Sequence, residues 1–552
     1  MVTIVLFELF AVQSCTLFLV YLTDRIKLRL MKRTILLIVA IVGCFSLQAR
    51  KKEVDPRTFN VSKDSVVFMS EFRGAWLSTV ESIDWPKVRI LLKAQTRADG
   101  TVEKSGEVKA RVEMQRDSQK RALVSLITKI KRSGCNAVMF QIVSNSDALY
   151  PSKILQWAPT LTDTPGEGPG YDPLEVAIKT AHSLGMEIHG WINPLRIGKV
   201  TLPRREDNIC YVKKNLVQEH NGMLYWDPGY EEVKEYLGAL ATEIMTKYDL
   251  DGLHIDDYFY PWGVKGKGEQ VKPKKNEKVW NDAALFAKYG NGKTLDEWRE
   301  SNINDIVRVL HSAVHKAKPN AVFGVSPAGR LVNTQDLYAD PINWAKEGTI
   351  DYLIPQIYWQ HGHEIADFKK VLDSWAGILG DTPVIAGLAA YRYPSKAFPS
   401  LDEFKLQVEE CRAAPYATDG TGYNVVGECW FTTHNIITDE FTSYLLNNIY
   451  QDDLPTPSLG RDNSDISAPE LTKVGGLLRW SEVKGADNYE VYRLVEVPGK
   501  KTAEGGRVFK AVKEKRLHAF SLGKIERGFN YFVVAVKGSR RSERSNIIFI
   551  KE

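Results

Sequence analysis

The chain is 552 residues long, 26% charged, and carries a net charge of +5 at neutral pH. That exceeds one ordinary domain, although an α/β barrel alone occupies roughly 250 residues or more, so one large and one small domain are expected. A balance so near neutrality, with the lysines scattered or confined to loops, excludes an electrostatic case for nucleic acid as a partner.

Residues 1–49 read as an address. Met31-Lys32-Arg33 followed by the apolar run 34–42 has the charged and hydrophobic regions of a secretory signal peptide. Met31 is then the true start, and the apolar stretch 1–30 reflects an early start codon in preference to a membrane span. Ile41-Val42-Gly43-Cys44 has the form of a bacterial lipobox, which would leave a lipidated Cys44 as a membrane attachment, whereas cleavage after Leu47-Gln48-Ala49 would release a soluble protein. Both routes export the chain to the periplasm or cell surface, the first as an outer-membrane lipoprotein. The exported portion keeps Cys135, Cys210, Cys411 and Cys429. Their spacing matches no zinc pattern and supports no disulfide, and the apolar surroundings of Cys135 and Cys429 suit buried free thiols.

Residues 66–450 alternate short apolar runs with longer amphipathic segments, the signature of repeated βα units. The predicted strands are 72–77, 137–143, 187–192, 252–256, 322–326, 352–358, 384–388 and 425–431. The predicted helices are 118–131, 173–184, 230–247, 295–317, 367–379, 401–412 and 439–447. Eight alternations fit a closed (β/α)8 TIM barrel better than an open doubly wound sheet. Residues 451–469, rich in Asp, Pro and Ser, read as a linker. Residues 470–552 hold short strands with no room for helices. Their Trp480, Tyr489-to-Tyr492 and Tyr531-to-Ala535 pattern resembles a fibronectin type III β-sandwich, so a small all-β domain is expected, dispensable for chemistry.

Barrel chemistry gathers at strand C-termini. There the run Asp251-Gly252-Leu253-His254-Ile255-Asp256-Asp257-Tyr258-Phe259-Tyr260-Pro261 passes from an apolar strand into paired acids and then aromatics. Glycoside hydrolysis needs one carboxyl group to protonate the leaving oxygen and another as nucleophile or base. Strand alternation puts His254, Asp256 and Tyr258 on one face and Leu253, Ile255 and Asp257 on the other. Asp256 is therefore the first catalytic candidate. Asp257 is the second, if the chain turns at Tyr258. Glu428 is a partner across the barrel, although alternation groups it with Val426 and Trp430. Asp84 and Asp147 are outsiders on the loops after the first two strands. Arg73 or Arg196 would hold one carboxyl ionised. Gln141, Asn193 and Gln356 are hydroxyl or N-acetyl binders; Trp76, Trp85, Trp191, Tyr258, Tyr358 and Trp359 are ring platforms; His254 and Asp147 are further substrate contacts. The lysine-bearing insertion 263–292 reads as a solvated flap, with a lid over a polyanionic glycan as the alternative.

Several blocks in one order resemble the glycosyl hydrolase-like 10 family of bacterial envelope proteins. They are Glu71-Phe72-Arg73-Gly74-Ala75-Trp76-Leu77, Asn136-Ala137-Val138-Met139-Phe140-Gln141 with Asp147-Ala148-Leu149-Tyr150, Gly190-Trp191-Ile192-Asn193-Pro194, residues 251–261, Val325-Ser326-Pro327, 351–359 and 387–392. The resemblance implies a (β/α)8 glycosidase-like domain acting on a polysaccharide or oligosaccharide without a redox cofactor, in a family linked to cleavage of cell-wall glycan strands that lack stem peptides. The strand-four block is also similar to the D-G-x-D-x-D-x-E signature of chitinase-type enzymes. Here His254 replaces the middle Asp and Tyr258 the final Glu, so substrate-assisted hydrolysis through that Glu does not carry over. Val143 stands where the family is expected to place an Arg. The competing readings are a non-catalytic glycan-binding barrel and a hydrolase with a metal on His254, Asp256 and Asp257. Regular alternation separates those ligands, and the only close pair of histidines expected to bear on a metal, His361 and His363, sits in a loop without further ligands, so no metal site is expected.

Overall fold

The computed structural model describes residues 66–67, 70–265, 278–414, 424–461, 464–501, 507–523, 525–538 and 540–551. The leader with Met31 and Cys44, and Lys267, Lys272, Lys274 and Lys275 of the insertion, lie outside the described residues. No helix among the described residues is long and apolar enough to cross a membrane.

Eight parallel strands close into a barrel: β1 Phe72–Leu77, β2 Ala137–Val143, β3 Glu187–Ile192, β4 Gly252–Ile255, β5 Val322–Val325, β6 Tyr352–Leu353, β7 Val384–Leu388 and β8 Val425–Trp430. Each is followed by a helix: α1 Ser105–Arg132, α2 Pro173–Ser183, α3 Glu231–Lys247, α4 Leu295–Ala317, α5 Pro341–Glu347, α6 Phe368–Leu379, α7 Asp402–Ala413 and α8 Asp439–Tyr444. The strands are almost continuously buried because the helices cover one face and the barrel interior the other. Phe72, Trp76, Met139, Trp191, Tyr352 and Cys429 fill the interior, while Ala75, Phe140, Ile188, Leu253, Phe323 and Trp430 pack under the helices. At the closing seam Gly427 pairs with Phe72. A Cβ on Gly427, at φ +143°, would lie 2.0 Å from the Phe72 carbonyl oxygen, so the seam requires glycine there.

Four predicted strands end earlier than expected, the fifth and the eighth by one residue each. The sixth ends at Leu353 because Pro355 carries no N–H for the ladder, and only Gln356 rejoins its neighbours, through single bridges to Ala328 and Gly387. The fourth ends at Ile255, which frees Asp256 and Asp257 from the strand's alternation.

Side chains placed immediately before a strand clasp the N-terminal rim. Asn136, before β2, accepts from the Arg73 amide of β1 (2.9 Å); Asp251, before β4, from the Ile188 amide of β3 (2.8 Å); Asp351, before β6, from the Phe323 amide of β5 (2.6 Å). Each clasp satisfies a buried N–H where the ladder begins. His182 of α2 backs Asp251 at 3.0 Å, and His315 of α4 backs Asp351 at 2.9 Å.

The expected linker departs from its composition. Its described part is a plug in the bottom of the barrel: Pro455 accepts from the Glu71 amide, Leu454 from Asn136, and Leu459 joins the interior cluster. Arg461, with a side chain only 3% exposed, forms an ion pair with Glu187 of β3. Asp453 then bridges Lys131 of α1 and Lys513 of the C-terminal region. That region is all-β, as expected: β9 Leu471–Val474, β10 Leu477–Trp480, β11 Asn488–Lys501, β12 Arg507–Leu517, β13 Phe529–Lys537 and β14 Ile548–Ile550. Antiparallel β12, β11 and β13 form the centre of one sheet, and β9, β10 and Ser521–Leu522 the other. Leu478, Trp480, Tyr489, Val491, Tyr531 and Val533 make the core between them.

Candidate active site

A cleft of about 330 Å³ opens at the C-terminal ends of the strands. Asp256 and Asp257 reach it from the end of β4, Trp191 from β3, Trp76 from β1, Gln356 and Tyr358 from the segment after β6, and Phe431 from the end of β8. The hairpin inserted after β3, from Arg196–Lys199 through Met223–Trp226, adds Arg196 and Tyr225 to the wall.

Asp256 is 4% exposed. Its Oδ2 accepts from Trp191 Nε1 at 3.1 Å and from Asn193 Nδ2, and its Oδ1 from the Tyr258 amide at 3.3 Å. All three donors are neutral. Burial, with the Asp257 charge adding to it, outweighs the pull of Arg196 and pushes the carboxyl up to about 7. Asp257 also lines the cleft, because the strand has ended and the chain turns. Burial raises its carboxyl as well, against a hydrogen bond from Gln356 and the attraction of Arg196. Arg196 is held by the Ser144 carbonyl, which accepts from Nε and Nη2 at 3.1 Å each, and its guanidinium lies 3.9 Å from the centre of the Tyr258 ring. Tyr258, 42% exposed, is thereby fixed as a platform at the cleft mouth. Tyr358 stacks on Phe431 with 5.9 Å between ring centres and provides the opposite apolar wall.

Beneath the acids a hydrogen-bonded chain runs down the barrel. Trp76 Nε1 donates to His254 Nε2 (3.3 Å), so the proton of a neutral His254 sits on Nδ1 and faces the Tyr352 hydroxyl (3.3 Å). That hydroxyl meets His189 Nδ1 at 2.8 Å, and His189 Nε2 meets Glu187 at 3.1 Å. Burial keeps His254 neutral by holding its pKa well below the usual range.

Several expected site residues lie elsewhere. Glu428 points out of the barrel into the helix layer, where the Tyr450 hydroxyl donates to it. Alternation places it beside Trp430 rather than Cys429, and it cannot reach the acids. Arg73 points outward too, against Glu71 and the Tyr450 ring. His254 lies under Trp76 with both ring nitrogens engaged, so it neither touches substrate nor binds a metal with Asp256 and Asp257. Gln141 accepts from the Thr79 and Val80 amides and donates to Asn193 at 2.7 Å, while Asn193 donates to Asp256. Both position the acid, and Gln141 also borders the cleft. Trp359 packs on the core against Gly329. Trp85 is core as well, donating to the Gln119 carbonyl, and Asp84 ties the Ser78 amide to His434. Asp147 lines a neighbouring cavity of about 500 Å³, which shares Val80, Ile83, Arg196 and Tyr258 with the cleft. The four cysteines are buried free thiols, and His361 caps a turn through Glu403.

Sequence reasoning missed Ser326, Phe431, Tyr225 and Trp262 as lining residues. Ser326 and Phe431 directly follow β5 and β8, so the strand-end rule points to them; Ser326 Oγ is buried at the cleft with no hydrogen-bond partner among the described residues. Trp262, 51% exposed, continues the aromatic run from Tyr258. Tyr225 belongs to the unforeseen hairpin and had no such signal.

The family description glycosyl hydrolase-like 10 matches residues 71–400. The chain is similar to glycosyl hydrolase YngK of Bacillus subtilis (strain 168), 31% identical over 357 residues that make up 59% of this chain and 63% of that protein. It therefore spans less than two thirds of that relative's length. It is similar also to glycosyl hydrolase DigH of Escherichia coli (strain K12), 29% identical over 380 residues, 62% of this chain and 80% of that one. Among solved structures, the PgaB (BpsB) glycoside hydrolase domain from Bordetella bronchiseptica aligns at 12% identity and a TM-score of 0.39, covering 60% of this chain and 93% of that one. The family match spans more than half of the sequence and the whole stretch from β1 to β7, and the chain belongs to the glycosyl hydrolase-like 10 family.

Proposed function

We propose that the protein is an exported glycoside hydrolase that cleaves an envelope or amino-sugar-containing polysaccharide, peptidoglycan glycan strands among the candidates. The observation that carries this reading is the pair of consecutive carboxyl groups at the end of β4, Asp256 buried and Asp257 half-buried, held by neutral donors in a cleft walled by rings. Asp256, half protonated near pH 7, donates its proton to the leaving glycosidic oxygen. Asp257, whose charged form Gln356 and Arg196 favour against burial, attacks the anomeric carbon as the carboxylate or takes a proton from the attacking water. Trp76, Trp191, Tyr258 and Tyr358 offer faces to the pyranose rings, and Ser326 Oγ offers a hydroxyl contact.

Export rests on the leader-like segment 31–49. The test is incubation of the chain from residue 50 onward with a panel of cell-wall and plant glycans, followed by mass spectrometry of the soluble fraction. Released fragments with new reducing ends from one glycan class are expected. Retention on such a glycan without release would favour the binding-only reading.

A further inference from the structure

Outside the cleft, the two histidine-backed clasps of the N-terminal rim differ at one position. In the first, His182 of α2 meets Asp251, which caps the Ile188 amide; one turn back on the helix stands Ile178, buried in the core. In the second, His315 of α4 meets Asp351, which caps the Phe323 amide, and one turn back stands a second histidine, His311. Residues four apart on a helix share a face. The His311 and His315 rings accordingly lie 4.3 Å apart between centres, and one ligand atom from each of His311, His315 and Asp351 falls within 4.8 Å of the others. The first clasp is complete with one histidine and one aspartate, and the Asn136 clasp with neither. His311 is surplus to such a clasp, and all three side chains are half-buried, open to solvent.

We propose that His311, His315 and Asp351 bind a divalent first-row transition ion, Zn²⁺ in the first instance, on the outer side of the barrel away from the cleft. Two imidazole nitrogens and one carboxylate oxygen are a borderline-soft donor set that selects Zn²⁺, Ni²⁺ or Cu²⁺ over Mg²⁺ and Ca²⁺, with water completing a tetrahedron. Bond lengths of about 2.0–2.2 Å place tetrahedral donors roughly 3.3–3.5 Å apart. The His315–Asp351 contact of 2.9 Å therefore opens by about half an ångström as the ion enters, while His311 closes toward it. The ion replaces the proton between His315 and Asp351 and staples α4 to the start of β6. The spacing is visible in the sequence as His311-Ser312-Ala313-Val314-His315, so His361 and His363 are not the only close histidine pair.

The full chain, stripped with a chelator, is titrated calorimetrically with zinc chloride. One site with a dissociation constant on the order of micromolar is expected, with a thermal midpoint raised by roughly 2–5 °C at saturation and no response to magnesium or calcium chloride. H311I, which installs the residue type of the sister clasp, weakens this binding at least about tenfold, whereas H182A leaves it unchanged. If H311I alters the fold, H311Q carries the same test. Zinc binding of equal affinity in wild type and the His311 variant, or no zinc heat below about 1 mM, overturns the assignment.

Discussion

The two ends of the barrel bury the same kind of residue and treat it in opposite ways. At the N-terminal end Glu71 lies against Arg73 and Arg412, and Glu187 against Arg461; though burial alone would raise them, these cations hold both carboxyls below their ordinary range. At the C-terminal end Asp256 and Asp257 are met at hydrogen-bond distance by neutral donors, with Arg196 the one cation among the described residues acting on them, and burial prevails. An acid that must only hold structure is paired and kept charged. In the mechanism proposed above, an acid that exchanges a proton is left poised. Burial cannot separate the two classes, since Asp256 is as inaccessible as Glu71 and Glu187; the charge of the nearest partner does.

Breaking the structural end gives the largest expected effect. A chain ending at Tyr450 lacks Leu459 and Arg461 and leaves Glu187 buried without its cation, so it loses its cooperative unfolding transition, whereas a chain ending between Arg461 and residue 470 keeps the plug and tests whether the all-β domain is dispensable for chemistry. R461M alone costs about 3–5 kcal/mol in chemical denaturation, and adding E187Q restores part of that. Equal denaturation midpoints for R461M and wild type would remove the ion pair from the account.

Breaking the poised end affects turnover more than folding. D256N lowers the turnover of released fragments about 10²–10⁴-fold while the acid's shape and donors stay in place. The two ends also diverge with pH. The raised Asp256 pKa contributes stability that is full below about pH 4 and is lost as pH rises through about 7, so D256N gains on wild type across that window, by roughly 1–3 kcal/mol at pH 8. The lowered Glu187 pKa contributes stability present above the ordinary carboxyl range and lost as pH falls through its depressed value, so E187Q is penalised at neutral pH and less so in acid. Denaturation midpoints from pH 4 to 8 that moved in parallel for the two variants would collapse the distinction.

The finest adjustment concerns one proton donor. W191F keeps the ring in the cleft and removes the N–H that stabilises the charged form of Asp256, so the alkaline limb of the kcat/KM profile moves up by roughly half to one pH unit. An unmoved limb would assign that limb to another group.

The barrel could be read from the sequence because each strand is an apolar run buried on both faces, and Asp256 because it continues the inward alternation of His254. Asp257 escaped that rule only because the strand stops at Ile255. Glu428 and Arg73 were misplaced by weighting chemical type over alternation, which had already set Glu428 with Trp430. The plug was hidden for a different reason: one leucine and one arginine in a Pro- and Ser-rich segment make no periodic pattern, and their partners, the barrel interior and Glu187, are remote in sequence. The positioning roles of Gln141 and Asn193 likewise depend on three strand ends meeting, which spacing along the chain does not encode.

Because Leu459 and Arg461 follow the eighth strand, the barrel's floor is the last piece of it to leave the ribosome. Until then Glu187 waits without its cation, and the nascent barrel is an open-bottomed intermediate of the kind that chaperones recognise. A barrel moved onto another partner must therefore extend past residue 461 to keep its floor. A recombination joint at the compositional boundary near 451 would deliver a barrel that is complete in its strands and yet unable to close its floor.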